Sequence, residues 1–254
     1  MKATIQHPNG PFTIDLTKAI DLSIPITHDK GPRAWGQKNA TISPVQEGAW
    51  TGRVATGATV NFNEIRLNPH AQTTHTECLG HITQQTYSLN QIVLSSLYFT
   101  AELVSIKPQK DQDDAVISES QLRQQLTYKN TEAVIIRTLP NPISKKTHNY
   151  SGTNPPYLHY KAAEYLRKLG IKHLLVDLPS VDKEKDSGKL LAHKAFWRVT
   201  DTQNLNKDAC TNDTITELIY VPNTVADGLY LLNIQTMPVE NDAAPSRPLL
   251  FKIE

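Results

Sequence analysis

Short runs of alternating apolar and polar residues dominate the first third of the chain: FTIDL at 12–16, AIDLSIPI at 19–26 and the stretch from Arg53 to Leu67. A period of two marks a strand with one buried face, so these segments predict hairpins. A strand is predicted over Tyr98–Ile106, a short helix over Ser120–Leu126 and a compact apolar strand over Ala133–Arg137. The segment Leu139–Pro156 is rich in turn formers and predicts a long loop, a length that points to function or mobility. From Leu158 to Leu169 the period changes: Leu158, Ala162, Tyr165, Leu166 and Leu169 recur at three- and four-residue spacing, and Gly170 stands where a helix stops. HLLVDL at 173–178 reads as a buried strand, LLAHKAFW as a second helix, and ITELIYV, GLYLLNIQ and PLLFKIE as three closing strands.

The mixture predicts an α/β fold with strands in the majority. With 254 residues, no internal repeat and no composition break, the chain reads as a single domain spanning 1–254. Composition then excludes partners. The 26 basic residues nearly balance the 25 acidic ones, and no basic stripe or arginine–aromatic interleaving occurs, so nucleic acid is not expected. Apolar runs fall short of the roughly 20 residues of a membrane helix, and MKATIQHPNGPF lacks the apolar region of a secretory signal. A cytoplasmic protein with a small-molecule substrate and no membrane partner is expected. Two cysteines, Cys78 and Cys210, are too few for a disulfide framework, and Cys78 reads as a packing residue rather than a ligand.

The chemistry concentrates in His70-Ala-Gln-Thr-Thr-His75-Thr-Glu77-Cys-Leu-Gly-His81. Nine histidines in 254 residues give about 0.4 in a window of twelve, yet three fall in this one beside a glutamate. On an extended strand, positions 75, 77, 79 and 81 share a face, which joins His75, Glu77 and His81. His70 has the wrong parity and reaches that face only if a bulge or turn intervenes between Ala71 and Thr74. Imidazoles with a carboxylate suit zinc or manganese, and an open coordination position lowers the pKa of a water toward about 7, which is hydrolase chemistry.

The motif resembles the signature HxGTHxDxPxH of the putative cyclase family, which includes bacterial kynurenine formamidase (arylformamidase). DLSIPI and GPRAWG at 21–36, LLVDLPSVDKEKDSGKLLAHKAF at 174–196 and ITELIYV at 215–221 extend the resemblance over most of the chain. It implies a cyclase-like, swivelling β/β/α fold, a mixed sheet or barrel flanked by helices, commonly in a homodimer or larger assembly. It implies one or two divalent ions, zinc or manganese, held by His70, His75, Glu77, His193 and Glu217, with His81 as the acid/base residue. Trp35 would supply an aromatic wall for the substrate. Three positions depart from the signature: Thr73 stands for its glycine, Glu77 for its aspartate and Leu79 for its proline.

Without the family, Glu217 reads as a buried carboxylate that needs a partner such as a metal or an arginine, with an edge-strand surface charge as the lesser alternative, and Asp182 and Asp186 read as a solvated turn rather than as residues orienting ligands. His28, His148, His159 and His173 read as ordinary. The expected activity is hydrolysis of an amide, N-formyl-kynurenine or a cyclic amide or lactone. The competing readings are a metal-binding but catalytically silent relative and a metal-free ligand-binding module.

Overall fold

Most of the predicted strands join into one mixed sheet whose two ends meet. The computed structural model describes residues 1–8, 10–93 and 97–254. The sheet contains β1 (Ile20–Asp21), β2 (His75–Glu77), β3 (Tyr98–Ile106), β4 (Ala133–Thr138), β5 (His173–Val176), β6 (Thr214–Glu217), β7 (Gly228–Thr236) and β8 (Ala243–Lys252). Their spatial order is β7-β3-β4-β5-β6-β2-β8-β1, and β7 also pairs with β8, so seven strands close into a barrel with β1 attached to β8. β3, β4, β5 and β6 are mutually parallel, and the other pairings are antiparallel. Closure leaves these seven strands without a free edge.

Among the described residues, five short helices accompany the sheet: α1 (Pro69–Gln72), α2 (Leu89–Val93), α3 (Glu119–Gln125), α4 (Tyr160–Lys168) and α5 (Leu191–Trp197). β4 shows why its sequence is a continuous apolar run. Ala133 and Ile135 point into the barrel beside Leu103, Leu175 and Leu232, while Val134 and Ile136 point outward against Leu122, Ala162, Leu166 and Phe196 of the helical layer. A parallel strand covered on both faces cannot alternate in polarity. Each such aliphatic side chain contributes about 1.5–3 kcal/mol on full burial.

Several boundaries differ from those expected. Leu158 belongs to a short strand, Tyr157–Leu158, and α4 begins only after His159, whose ring accepts from the Lys161 amide. β6 ends at Glu217 because Leu218 turns into the left-handed region at φ +53°. β8 starts five residues before Pro248; Pro245 and Pro248 sit opposite His75 and Ile234, inside the paired strand. Proline lacks a donor, which disguised this strand in the sequence. Arg53–Leu67 contributes one hairpin strand, Asn63–Arg66, paired with Thr41–Pro44, and a helical turn at Val54–Thr56.

Candidate metal centre

β2 lies between β6 and β8, and period two sends His75 and Glu77 outward toward α5 while Thr76 points into the barrel, its hydroxyl paired with that of Thr216 at 2.8 Å. The extended run stops there. Cys78 precedes a 3-10 turn, Leu79–His81, so positions 79 and 81 do not continue the strand face as the alternation implied. The turn carries Leu79 into the core and curls His81 back until its Nε2 is 3.9 Å from Glu77 Oε2. Gly80 permits this curl: a Cβ there would collide with the Tyr87 carbonyl oxygen.

His70 joins the cluster by the intervening turn that its parity demanded, in the form of α1. Pro69 starts that helix, where its missing N–H costs nothing. Thr73 then returns the chain to extended geometry at φ −157°, a conformation open to a β-branched residue, so the motif's glycine is not needed here. His70 Nδ1 is 3.1 Å from Glu77 Oε2 and Nε2 is 2.9 Å from Asp242 Oδ2, and the ring stacks on His81 with centroids 4.2 Å apart.

From the far part of the chain come His193 and Glu217. His193 Nε2 lies 3.0 Å from Glu77 Oε1 and 3.8 Å from Glu217 Oε1. Glu217 is buried in the middle of the barrel wall, not on an edge, and its Oε1 accepts the Val181 amide at 2.8 Å. Asp182 corrects the solvated-turn expectation. It is buried and accepts from the Ala192 amide (2.7 Å) and the His193 amide (3.2 Å), and it pairs with His193 Nδ1 at 2.6 Å. α5 lacks a side-chain cap of its own, so this one carboxylate caps the helix from a distance and fixes the imidazole that the helix carries. Asp186 does remain in a turn, accepting from Gly188 and Leu190.

Asp242 escaped the sequence reading. It precedes β8 in a polar stretch with no period, and only the register that sets Ala243 opposite Glu77 brings it near His70 and His81, the latter at 3.3 Å from Nδ1. Cys78 is fully buried, donates to the Tyr87 carbonyl and has its thiol pushed up to about 11, chiefly by burial, as suits a packing residue. Trp35 is 39% exposed with φ +56°, and the amide of its neighbour Ala34 is tied to the Ala71 carbonyl beside His70.

The electrostatics are those of a charge-dense cluster shielded from water. Burial disfavours charge on Glu77, yet His81, His193 and His70 hold its carboxyl well below the usual carboxylate range. Burial likewise opposes protonation of His70, but hydrogen bonds to Asp242 and Glu77 raise it to about 10. His193 is raised in the same way by Asp182 and Glu77. One fully buried atom nevertheless has no hydrogen-bond partner, His75 Nε2, while Glu77 Oε2 has the His70 imidazole at 3.1 Å. Leaving a buried polar atom unpaired costs about 1–3 kcal/mol, a cost that a bound cation would remove.

The donor set meets that need. His75, Glu77 and Glu217 offer ligand atoms within 4.8 Å of one another, as do His70, Glu77 and His81, and Glu77 belongs to both groups. Histidine Nδ1 of residue 75 is engaged by the Thr73 carbonyl at 3.0 Å, which directs Nε2 toward Glu217, 3.5 Å away. The residues therefore fit one divalent ion, or two that share Glu77.

Comparison with known proteins agrees with this fold. The chain belongs to the putative cyclase family, whose model matches residues 20–183. That stretch carries His70, His75, Glu77, His81 and Asp182 and ends before His193 and Glu217. No curated protein matches the sequence. Solved structures of similar fold include a potential metal-dependent hydrolase with cyclase activity (18% identity, TM-score 0.66, covering 93% of this chain and 98% of that one). Another is a predicted metal-dependent hydrolase from Bacillus stearothermophilus (17%, 0.63, 92% and 98%). A third is isatin hydrolase A from Labrenzia aggregata bound to benzyl benzoate (12%, 0.65, 93% and 94%).

Proposed function

We propose that this protein is a divalent-metal-dependent hydrolase that opens an amide bond in a small substrate, a cyclic amide or an N-acyl arylamine such as N-formyl-kynurenine, or the ester bond of a related lactone. The observation that carries this reading is the buried, unpartnered His75 Nε2 standing among the donor groups that share Glu77. His70, His75, Glu77, His193 and Glu217 are the proposed ligands, with zinc or manganese as the ion. When bound, such an ion supplies Lewis acidity to a carbonyl oxygen and acidifies water at neutral pH.

His81 has the position of a proton carrier. Its side chain is the most exposed of the cluster, at 32%, and its Nδ1 is held 3.3 Å from Asp242 while Nε2 reaches toward Glu77. It can accept a proton on the way to attack and return it to the departing amine, with Asp242 stabilising the imidazolium in between. Trp35, tethered through Ala34 to α1, is the proposed aromatic wall. Isatin contains a ring amide, so the name of one structural relative favours the cyclic-amide arm, and arylformamidase activity is the narrower alternative.

The same donor group that contains His81 also permits it to be a ligand, and the test separates the two roles. Protein reconstituted with zinc or manganese is expected to retain at least one equivalent by elemental analysis and to hydrolyse members of a panel of cyclic amides and N-formyl-kynurenine. His81→Ala should keep the metal and lose turnover. Loss of metal in that variant makes His81 a ligand, full retention of rate removes it from the chemistry, and less than one bound equivalent in the parent overturns the reading. Metal retained without turnover of any substrate returns the catalytically silent alternative. Against that alternative, Thr73 and Leu79 are absorbed by the fold without displacing a single donor.

A further inference from the structure

The inner face of the barrel wall borders a second cavity. A cavity of about 380 Å³ opens at the end of the barrel where the parallel strands begin, on the side of β2 opposite the metal ligands. Phe99, Ile92 and Ile234 supply its apolar walls, His173 and Thr214 its floor, and Thr76 its back, while Glu132 and Lys172 stand at the mouth. Its volume falls within the range of small-molecule pockets, and an apolar patch of three side chains lies beside polar ones, Asn212 and Asp213 among them.

His173 tells what kind of molecule fits. The residue is 6% exposed, its Nδ1 is held by Thr214 Oγ1 at 2.8 Å, and its side chain lines the cavity. Its ring packs on that of Phe99 with centroids 3.8 Å apart. Burial, with Lys172 and Arg167 nearby, pushes its pKa down to about 3, so the imidazole is neutral and offers a lone pair or a single N–H. Asp213, also in the lining, is engaged by Arg167 at 2.7 Å and adds no free charge. Flat apolar walls continued by Phe99 and one neutral hydrogen-bonding edge match a planar ring that carries one N–H or O–H.

We infer that this barrel-end cavity is a binding site for a small neutral aromatic molecule with a ring-borne N–H or O–H, of the indole or phenol class, separate from the metal centre. The ring lies against Phe99, Ile92 and Ile234, and its polar hydrogen meets His173. Thr76 is shared wall: its neighbours in β2, His75 and Glu77, face the metal centre.

Ligand-observed NMR and calorimetry with the metal-loaded protein test this, using indole and phenol as probes and cyclohexanol and naphthalene as controls. A saturable site is expected with Kd of roughly 10 µM to 1 mM, given the efficiencies of ligands this small. His173→Leu should weaken indole about tenfold, the loss of one neutral hydrogen bond, while leaving naphthalene unchanged. Ile234→Phe, which fills the cavity, should abolish binding and serves if the first variant does not fold. Glu77→Gln should leave indole binding intact. No saturable binding, or binding lost in Glu77→Gln and kept in Ile234→Phe, would overturn the assignment.

Discussion

The two faces of one short stretch of barrel wall carry opposite electrostatics. Outward from β2 and β6 stand His75, Glu77 and Glu217 beneath His193, a buried cluster of carboxylates and imidazoles. Inward stand Thr76, Thr216, Thr214 and His173, hydroxyls and one imidazole that satisfy each other in pairs. Histidine reports the difference. On the outer side His70 and His193 are raised above their ordinary range by carboxylate partners, and on the inner side His173 is lowered by burial without any. The same residue type thus becomes a cation holder or a neutral hydrogen-bonding edge according to which face of a strand it serves.

The largest way to break this contrast is Glu77→Gln, which removes a charge common to both donor groups. Removing residues that only orient ligands costs roughly 10–100-fold in metal affinity, so loss of Glu77 should exceed that range. Bound zinc or manganese measured by elemental analysis at equilibrium, with turnover in parallel, checks it. Near-parental affinity in this variant would remove Glu77 from the centre.

Another buried carboxylate, away from the donor groups, sharpens the comparison because its partners all come from the chain. Asp177, one residue beyond β5, accepts from the Thr138 amide (2.9 Å) and hydroxyl (2.8 Å) and from Lys145 Nζ (2.7 Å). Burial raises its pKa despite those partners. Nothing is left over for an added cation, so its role is structural. Lys145→Met should destabilise the fold by about 3–5 kcal/mol, because it strands a buried charge. Lys145→Met with Asp177→Asn should recover part of that loss, as measured by denaturant unfolding of the metal-loaded protein. Equal stability of the single variant and the parent would contradict the assignment.

How much of this could be read from the chain depends on whether the signal was local. The barrel strands were visible because burial imposes a period: AVIIR and HLLV needed apolar residues on both faces, and both appeared as expected. Five donors and His81 were visible through the dense histidine motif and the family likeness, and the structure brings all six into one cluster. Local pattern misled at His81, where a 3-10 turn replaces the strand, although the turn reaches the same neighbourhood. Asp182 resembled any acid in a polar loop, since its burial depends on α5 folding over it. Asp242 had no local signal at all, because strand pairing between residues 77 and 243 places it. His173 read as ordinary for the same reason, since only barrel closure makes it interior.

A more moderate effect tests whether Asp182 belongs to the outer site or merely caps α5. Asp182→Asn keeps the size and can still accept from the Ala192 amide, but it no longer holds His193 Nδ1 with a full charge. Metal affinity should drop about 10–100-fold. Stability of the metal-free protein should fall by only about 1 kcal/mol, the ordinary scale of a cap. A fall in stability without a change in metal affinity would reduce Asp182 to a cap.

The smallest predicted effect concerns the inner histidine and has a definite sign. His173 has a folded pKa of about 3 against roughly 6.5 when unfolded. Below pH 6.5 the unfolded chain therefore takes up a proton that the folded chain refuses. The contribution of neutral His173 is fully present above pH 6.5 and is lost progressively as the pH falls toward 3. At pH 5.5 the loss amounts to about 1.4 kcal/mol, one pH unit of linkage. His173→Gln keeps a hydrogen-bonding side chain and cannot titrate, so its unfolding free energy should decline less than the parent's between pH 7 and pH 5.5 by about that amount. Denaturant titrations at the two pH values, with the metal retained in both proteins, give the comparison. Parallel declines would mean that His173 is charged in the folded state, and the inner face would then resemble the outer one.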